Sequence, residues 1–507
     1  MVRPDQHLEW APAPAECCLA LANRFVTALP LLGLALVCVP APAESPAESA
    51  VAALKRNDYR AALALLEPAS GAGSADPRIW TLRGMALRGL DDAVKARESF
   101  GKALEIQPDY LPALMGAAEI DFEARSPAAE AMTRRILALR PDDPTANGMM
   151  GMILAAKDDC AAAIDHFRKS ESTQGDNPAM LESLGGCLLR VRRAAEAAGV
   201  FERLLGLRPG NERAQFGLGL ACHESGRPER ALEILQVMAA RDRPRPAVLV
   251  LTAEVLESLH RTPEALAALQ KAVKLYPFEE LNYISLADLC MEHGSYELGL
   301  EVLTAGERNI PGSARIRSMR GVILAQLGRH EEAEAAFAEA SKLDPAEQAA
   351  AMGRSLTFQE TGRLEESIRL LRQQLQESPG DGAVSYLLAQ ALITSGVRPS
   401  EPGFAEARKA LEASLRWDPN QAEPRVALGK LLVRIGEMEE AARHFEAAAR
   451  LDPTNRTATY QLMRALHKLG REQEAEDWRK RLRGQIQQGM EEDVQTNRYR
   501  LVKSGTD

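Results

Sequence analysis

Apolar and small residues recur along this chain in a fixed order, with polar residues between them. The segment Trp80–Asp109 shows one cycle: Trp80, Leu87 and Phe100 are large apolar positions, Gly84, Ala96 and Ala103 are small ones, and Pro108 closes it. The spacing predicts two helices that pack on one another through apolar faces. Gly84 and Ala96 fall where the two helices approach closely, because a larger side chain there would overpack the contact. Pro108 has no N–H and disfavours helix at the residue before it, so it stops the second helix. A further glycine stands between the helices at Gly226, Gly294, Gly328, Gly362, Gly436 and Gly470. It suits a left-handed C-cap, where glycine carries no Cβ penalty.

The cycle repeats. Pro277, Pro311, Pro345 and Pro379 follow one another at 34-residue steps, and Pro108, Pro141, Pro209, Pro419 and Pro453 extend the ladder. The small pair returns as Gly185/Ala197, Gly219/Ala231, Ala253/Ala265, Ala287/Gly299, Gly321/Ala333 and Gly429/Ala441. The large position returns as Phe167, Phe201, Leu235, Leu269, Leu303, Phe337, Leu371, Leu411 and Phe445. A period of this length marks stacked helix–turn–helix units. The pattern resembles the tetratricopeptide repeat family from about Ala47 to Gly484, in about thirteen units. The resemblance implies an all-α, right-handed α-solenoid. The organisation expected is therefore a leader over 1–43, a repeat solenoid over 44–484, and a capping helix end with a polar tail over 485–507. Three departures are local. Gly71–Ser74 reads as a loose joint, Gly175 stands where a unit would end in proline, and Val397–Gly403 adds about six residues that read as a surface loop.

The first 43 residues differ from the rest. Phe25–Val39 is an apolar run of 15 residues preceded by Arg24 and followed by Ala41-Pro42-Ala43. That order reads as a secretory signal peptide cut after Ala43, and the run is short for a spanning helix. An exported, periplasmic or secreted protein is expected, of the bacterial type.

The 507-residue chain carries a net charge of −9, and −8 remains once residues 1–43 are removed. A mildly acidic solenoid argues against a general nucleic-acid binder, which needs a basic face. Cys160, Cys187, Cys222 and Cys290 fit no zinc or redox spacing and read as small buried hydrophobes. Cys160 with Cys187 is the one pair worth testing for a disulfide. His166 and His444 share one repeat position, and His223 and His467 another, so the histidines follow the structural period. No HExxH, P-loop, GxSxG or EF-hand loop is present, and Gly217-Leu218-Gly219 lacks the third glycine of a dinucleotide loop. No catalytic, metal or cofactor residue is expected, and no small-molecule substrate.

In tetratricopeptide arrays the first helix of each unit lines a concave groove. Carried over by repeat position, the resemblance implies a partner-binding set of Phe216, Leu220, Val250, Glu254, Glu257, Ile284, Asp288, Glu292, Met352, Leu356, Tyr386, Lys430, Arg434, Arg464 and Lys468. Met85, Leu114, Ala118 and Met152 would continue the groove toward the N-terminus. The paired asparagines and lysines with which some family members grip a carboxylate are absent at these positions. A groove with apolar, acidic and basic stretches suits an extended peptide or a partner helix. The reading is a non-catalytic scaffold that binds a protein or peptide, with membrane contact only through its partners. The alternatives are a recruiting subunit of a separately encoded envelope enzyme, such as a glycosyltransferase or peptidase, and a self-associating array.

Overall fold

The computed structural model describes residues 45–70, 75–345 and 347–496. The predicted leader, the Gly71–Ser74 joint and the last residues of the tail lie outside them. The described residues form 26 α-helices, one short 3-10 turn and no strand. They pair into thirteen helical hairpins, the number expected from the repeat. The chain divides into two compact units at Pro244/Arg245. Six hairpins belong to the N-terminal unit and seven to the C-terminal one.

Each hairpin follows the same local rules. Helix starts are capped by side chains, as where Asp143 accepts from the Ala146 N–H and Asn211 from that of Ala214. Pro77, Pro144, Pro178 and Pro246 occupy first-turn positions, where proline loses no hydrogen bond. The turn between the helices passes through the left-handed region. Gly226, Gly294, Gly328, Gly362, Gly396, Gly436 and Gly470 have φ between +65° and +85° there. In the remaining units the same place is held by Asn57, Asp91, Arg125, Asp158, Arg192 and His260, with φ between +52° and +66°.

The two helices of a hairpin are buried differently. In Pro246–Ser258, Val248 to Ala253, Val255 and Leu256 are all buried, so this first helix is packed on nearly every side. Its partner, Thr262–Leu275, buries only Thr262, Ala265, Leu269 and Ala272, a single stripe. Within each unit a first helix packs both on its own second helix and on the second helix of the hairpin before it.

The core knob is the large residue of the second helix. Phe100, Phe167, Phe201, Phe337 and Phe445 are among the largest fully buried side chains. Each ring lies on a glycine sixteen residues earlier, on the first helix of its own hairpin. A Cβ at Gly84 would stand 2.6 Å from Phe100 Cε1, and one at Gly185 2.6 Å from Phe201 Cζ. Several rings also touch a glycine of the following first helix. Gly116 lies against Phe100, Gly217 against Phe201 and Gly353 against Phe337. Gly217 and Gly219 are thus packing residues, the latter against Leu235.

One sequence expectation is corrected. The insert was expected to form a loop over Val397–Gly403, but the helix Pro402–Trp417 begins inside it, with Pro402 in the first turn. Proline's fixed φ is preorganised for that position, so it starts the helix instead of excluding it. The last helix runs Glu472–Thr496, with Ala475 buried against the preceding hairpin.

Candidate protein-interaction face

The C-terminal unit presents one repeat position seven times. Its first helices are Pro246–Ser258, Glu280–Glu292, Ala314–Gln326, Gln348–Glu360, Gly382–Thr394, Ala422–Arg434 and Arg456–Lys468. The first five pack each on the next, as do the last two on each other. The equivalent residues are Glu254, Asp288, Val322, Leu356, Gln390, Lys430 and Arg464, a row that runs over the first five helices and again over the last two. All seven keep access to solvent. The row changes from acidic through apolar and neutral to basic. One helical turn further on, Glu292 and Glu360 give way to Arg434 and Lys468, all four exposed.

The row one turn earlier is largely closed. Val250 and Ile284 are buried between helices, Met352 and Tyr386 are half-buried, and only Tyr460 opens fully. The N-terminal unit is more closed still. Phe216 and Leu220 are each 7% exposed, and Leu114 and Ala118 are wholly buried. Met85 is exposed and Met152 half-buried. The 33-residue step between Pro108 and Pro141 shifts the register by one, so the row position in that unit is Glu119, not Ala118. Counting the short step from the proline ladder would have found it.

Several of these side chains have local partners. Glu257 Oε1 accepts from the Thr262 hydroxyl at 3.0 Å and stands 2.9 Å from His293 Nε2, so its carboxylate is tied to the start of its partner helix and to the C-cap of the next first helix, not to the row. No sequence signal links residues 36 positions apart in different repeats, and Thr262 and His293 were missed for that reason. Arg434 donates to the Val397 carbonyl of the inserted loop and lies 5.3 Å over the Phe404 ring. Arg464 lies 5.6 Å over the Tyr460 ring, an arrangement that leaves its charge available to solvent. Tyr386 accepts at 2.9 Å from Gln390, and burial pushes its phenol up to about 12.

The acidic end of the row is partly desolvated. Burial first, then the neighbouring Glu292 carboxylate, raises Asp288 to about 6, against the pull of Arg315. Glu119 in the N-terminal unit is raised to about 7 by burial and by Glu123, with Arg88 opposing. Carboxylates held in this state gain from a cation that arrives with a partner. Among the described residues no group of three or more His, Cys, Asp or Glu side chains is placed to hold a metal ion. Nor is any helix there long and apolar enough to cross a membrane. The row offers graded charge along the first helices.

A tetratricopeptide repeat family model matches residues 48–110, 149–212, 284–348, 403–455 and 426–489, more than half of the chain, and a second of the same description matches 188–255. The chain belongs to the tetratricopeptide repeat family. Among solved structures, this tetratricopeptide chain is similar to the yeast Tom70 (17% identity, 89% of this chain and 93% of that one, TM-score 0.43). It is similar to the APC/C hetero-tetramer Cut9-Hcn1 (17%, 83% of each chain, 0.37). It is also similar to a tetratricopeptide repeat protein from Parabacteroides merdae (20%, 50% and 97%, 0.40). No curated protein matches the chain. Membership rests on the repeat matches, and a protein-interaction scaffold is the role the family supports.

Proposed function

We propose that this tetratricopeptide protein is a non-catalytic scaffold that holds an extended segment of a protein partner along the first helices of its C-terminal unit. The observation that carries the reading is the accessible row Glu254–Asp288–Val322–Leu356–Gln390–Lys430–Arg464. A segment with basic residues at one end, an apolar middle and acidic residues at the other complements it. The charges set direction and on-rate, while the exposed Leu356 and half-buried Val322 supply contact area. The partly buried Asp288 is the position where a matching cation is worth most.

Export belongs to the same proposal. A capping box of Ser45 and Glu48 starts the helix at Pro46, so a chain cut after Ala43 would keep this helix and its cap whole. A mature N-terminus at Glu44 in the fraction outside the cytoplasm is the expected result. Full-length protein in the cytoplasmic fraction would end that part of the proposal.

The test of binding is affinity capture of the full chain from its own host with quantitative mass spectrometry. Lys430→Glu with Arg464→Glu, and separately Glu254→Lys with Glu292→Lys, should each lose the partner that wild type retains. Glu229→Lys with Glu233→Lys, on a second helix of the N-terminal unit, should keep it. A partner unaffected by either row reversal would rule the row out.

A further inference from the structure

A cleft of about 360 Å³ opens in the C-terminal unit, beside the loop of Pro419 and Asn420. It is walled by the hairpin of Ala422–Arg434 and Met438–Leu451. Arg425 of the first helix and Arg443 and Arg450 of the second line it, together with Ala447 and Leu451. Glu446 is the one carboxylate among its lining residues, and it is paired with Arg450 at 2.5 Å.

The repeat supplies an internal reference for this cleft. Ala314–Gln326 and His330–Leu343 form an equivalent hairpin, in which Gly321 and Phe337 stand where Gly429 and Phe445 stand here. There Arg317 donates from Nη1 to the Pro311 carbonyl at 2.5 Å, and its Nε stands 3.6 Å from Glu339 Oε2. In the cleft hairpin Arg425 keeps the first of these bonds, from Nη2 to the Pro419 carbonyl at 2.7 Å. The second partner is missing. Ala447 occupies the position of Glu339, and among the described residues the buried Arg425 Nε has no acceptor. In the same helix the reference Ala335 is replaced by the exposed Arg443. Around one space the hairpin has thus lost an acid and gained a base. A buried N–H without an acceptor costs free energy, which an incoming oxygen restores.

We propose that the cleft binds a small organic carboxylate. Its oxygens take the place of the Glu339-type carboxylate against Arg425 and Arg443, and its apolar body lies on Pro419, Ala447 and Leu451. Guanidinium groups pair with carboxylates through planar, charge-assisted hydrogen bonds. Apolar walls strengthen such a pair by keeping water from it. The row residues Lys430 and Arg464 do not line the cleft, so the site stands apart from partner binding on the row.

The experiment is saturation-transfer NMR on the full chain, with sodium butyrate as probe and butyramide as its uncharged counterpart. Butyrate should bind saturably and butyramide should not. Ala447→Glu supplies Arg425 with an internal carboxylate, as Glu339 does for Arg317, and should weaken butyrate by about tenfold. Arg425→Gln should weaken it as much while keeping the loop in place, because Gln215 makes the same bond to the Pro209 carbonyl in its own repeat, at 3.0 Å. Arg443→Gln should weaken it severalfold. Should Ala447→Glu misfold, Arg425→Gln decides. Equal binding of butyrate and butyramide, or butyrate binding that survives Arg425→Gln unchanged, overturns the proposal. Inorganic phosphate bound more tightly than butyrate would also overturn it, since charge alone would then account for the site.

Discussion

Gly321 and Phe337 occupy one another's space: a Cβ on Gly321 would lie 2.7 Å from Cε1 of the ring. The pair recurs as Gly84/Phe100, Gly151/Phe167, Gly185/Phe201 and Gly429/Phe445. Where the knob is leucine, the small partner carries a side chain, as in Ala253/Leu269, Ala287/Leu303 and Ser355/Leu371. Gly219/Leu235 is the exception, with the leucine at 3.0 Å from the Cβ position. The two residues of each pair share a fixed volume between helices, and the chain fills it in either of two ways.

Gly321→Ala should therefore destabilise the C-terminal unit by about 1–3 kcal/mol through overpacking. Adding Phe337→Leu should recover most of that loss, although Phe337→Leu alone leaves a cavity and is itself destabilising. Urea melts of the four proteins of the cycle measure the coupling. Strictly additive losses would show that the ring does not press on the helix.

The left-handed turn position gives a second prediction. His260 and Arg192 adopt φ of +57° and +62°, both are exposed, and seven other units use glycine there. A non-glycine residue pays for its Cβ in this region, and glycine returns part of that gain through the unfolded chain. His260→Gly should stabilise by about 0.5–1 kcal/mol, read as a higher urea midpoint with unchanged slope. A lower midpoint would mean that the His260 side chain contributes contacts beyond its turn.

Glu119 supplies the pH dependence. Its carboxyl is raised to about 7 in the fold, above the usual carboxylate value of 4.5. Folding is therefore penalised when the group ionises: the stability it allows is full below the unfolded value and is lost as pH rises through about 7. Glu119→Gln should leave stability unchanged at low pH and raise it by about 1–2 kcal/mol in mildly alkaline solution. Equal melting behaviour of the two proteins across that window would refute the assignment.

Much of this architecture could be read from residues alone, because each repeat states the same solution. The proline ladder, the glycines at 226, 294, 328, 362, 436 and 470, and the small residue facing each large one are where the periodicity puts them. Other features were hidden for definable reasons. His260 and Arg192 in the left-handed turn carry no signal, since the register of the repeat overrides their preference. Pro402 and Gly403 look like loop residues, yet proline is as much at home in a first helical turn. In the candidate row, repeat position groups Glu254, Asp288, Leu356, Lys430 and Arg464, all of which keep access to solvent. It could not tell that Phe216, Leu220, Val250 and Ile284 are closed over by neighbouring helices, because a first helix packed on nearly every side has no polar stripe to mark its open edge.

The row can be tested where it stands. A photo-cross-linking residue is placed singly at Glu254, Leu356 or Lys430 and, for comparison, at Glu365 or Glu439 on second helices of the same unit, in the full chain expressed in its own host. If the first helices hold the partner, one protein is captured from all three row positions and from neither second-helix position. Capture from Glu365 or Glu439 with nothing on the row would place binding on the opposite side and contradict the proposed function.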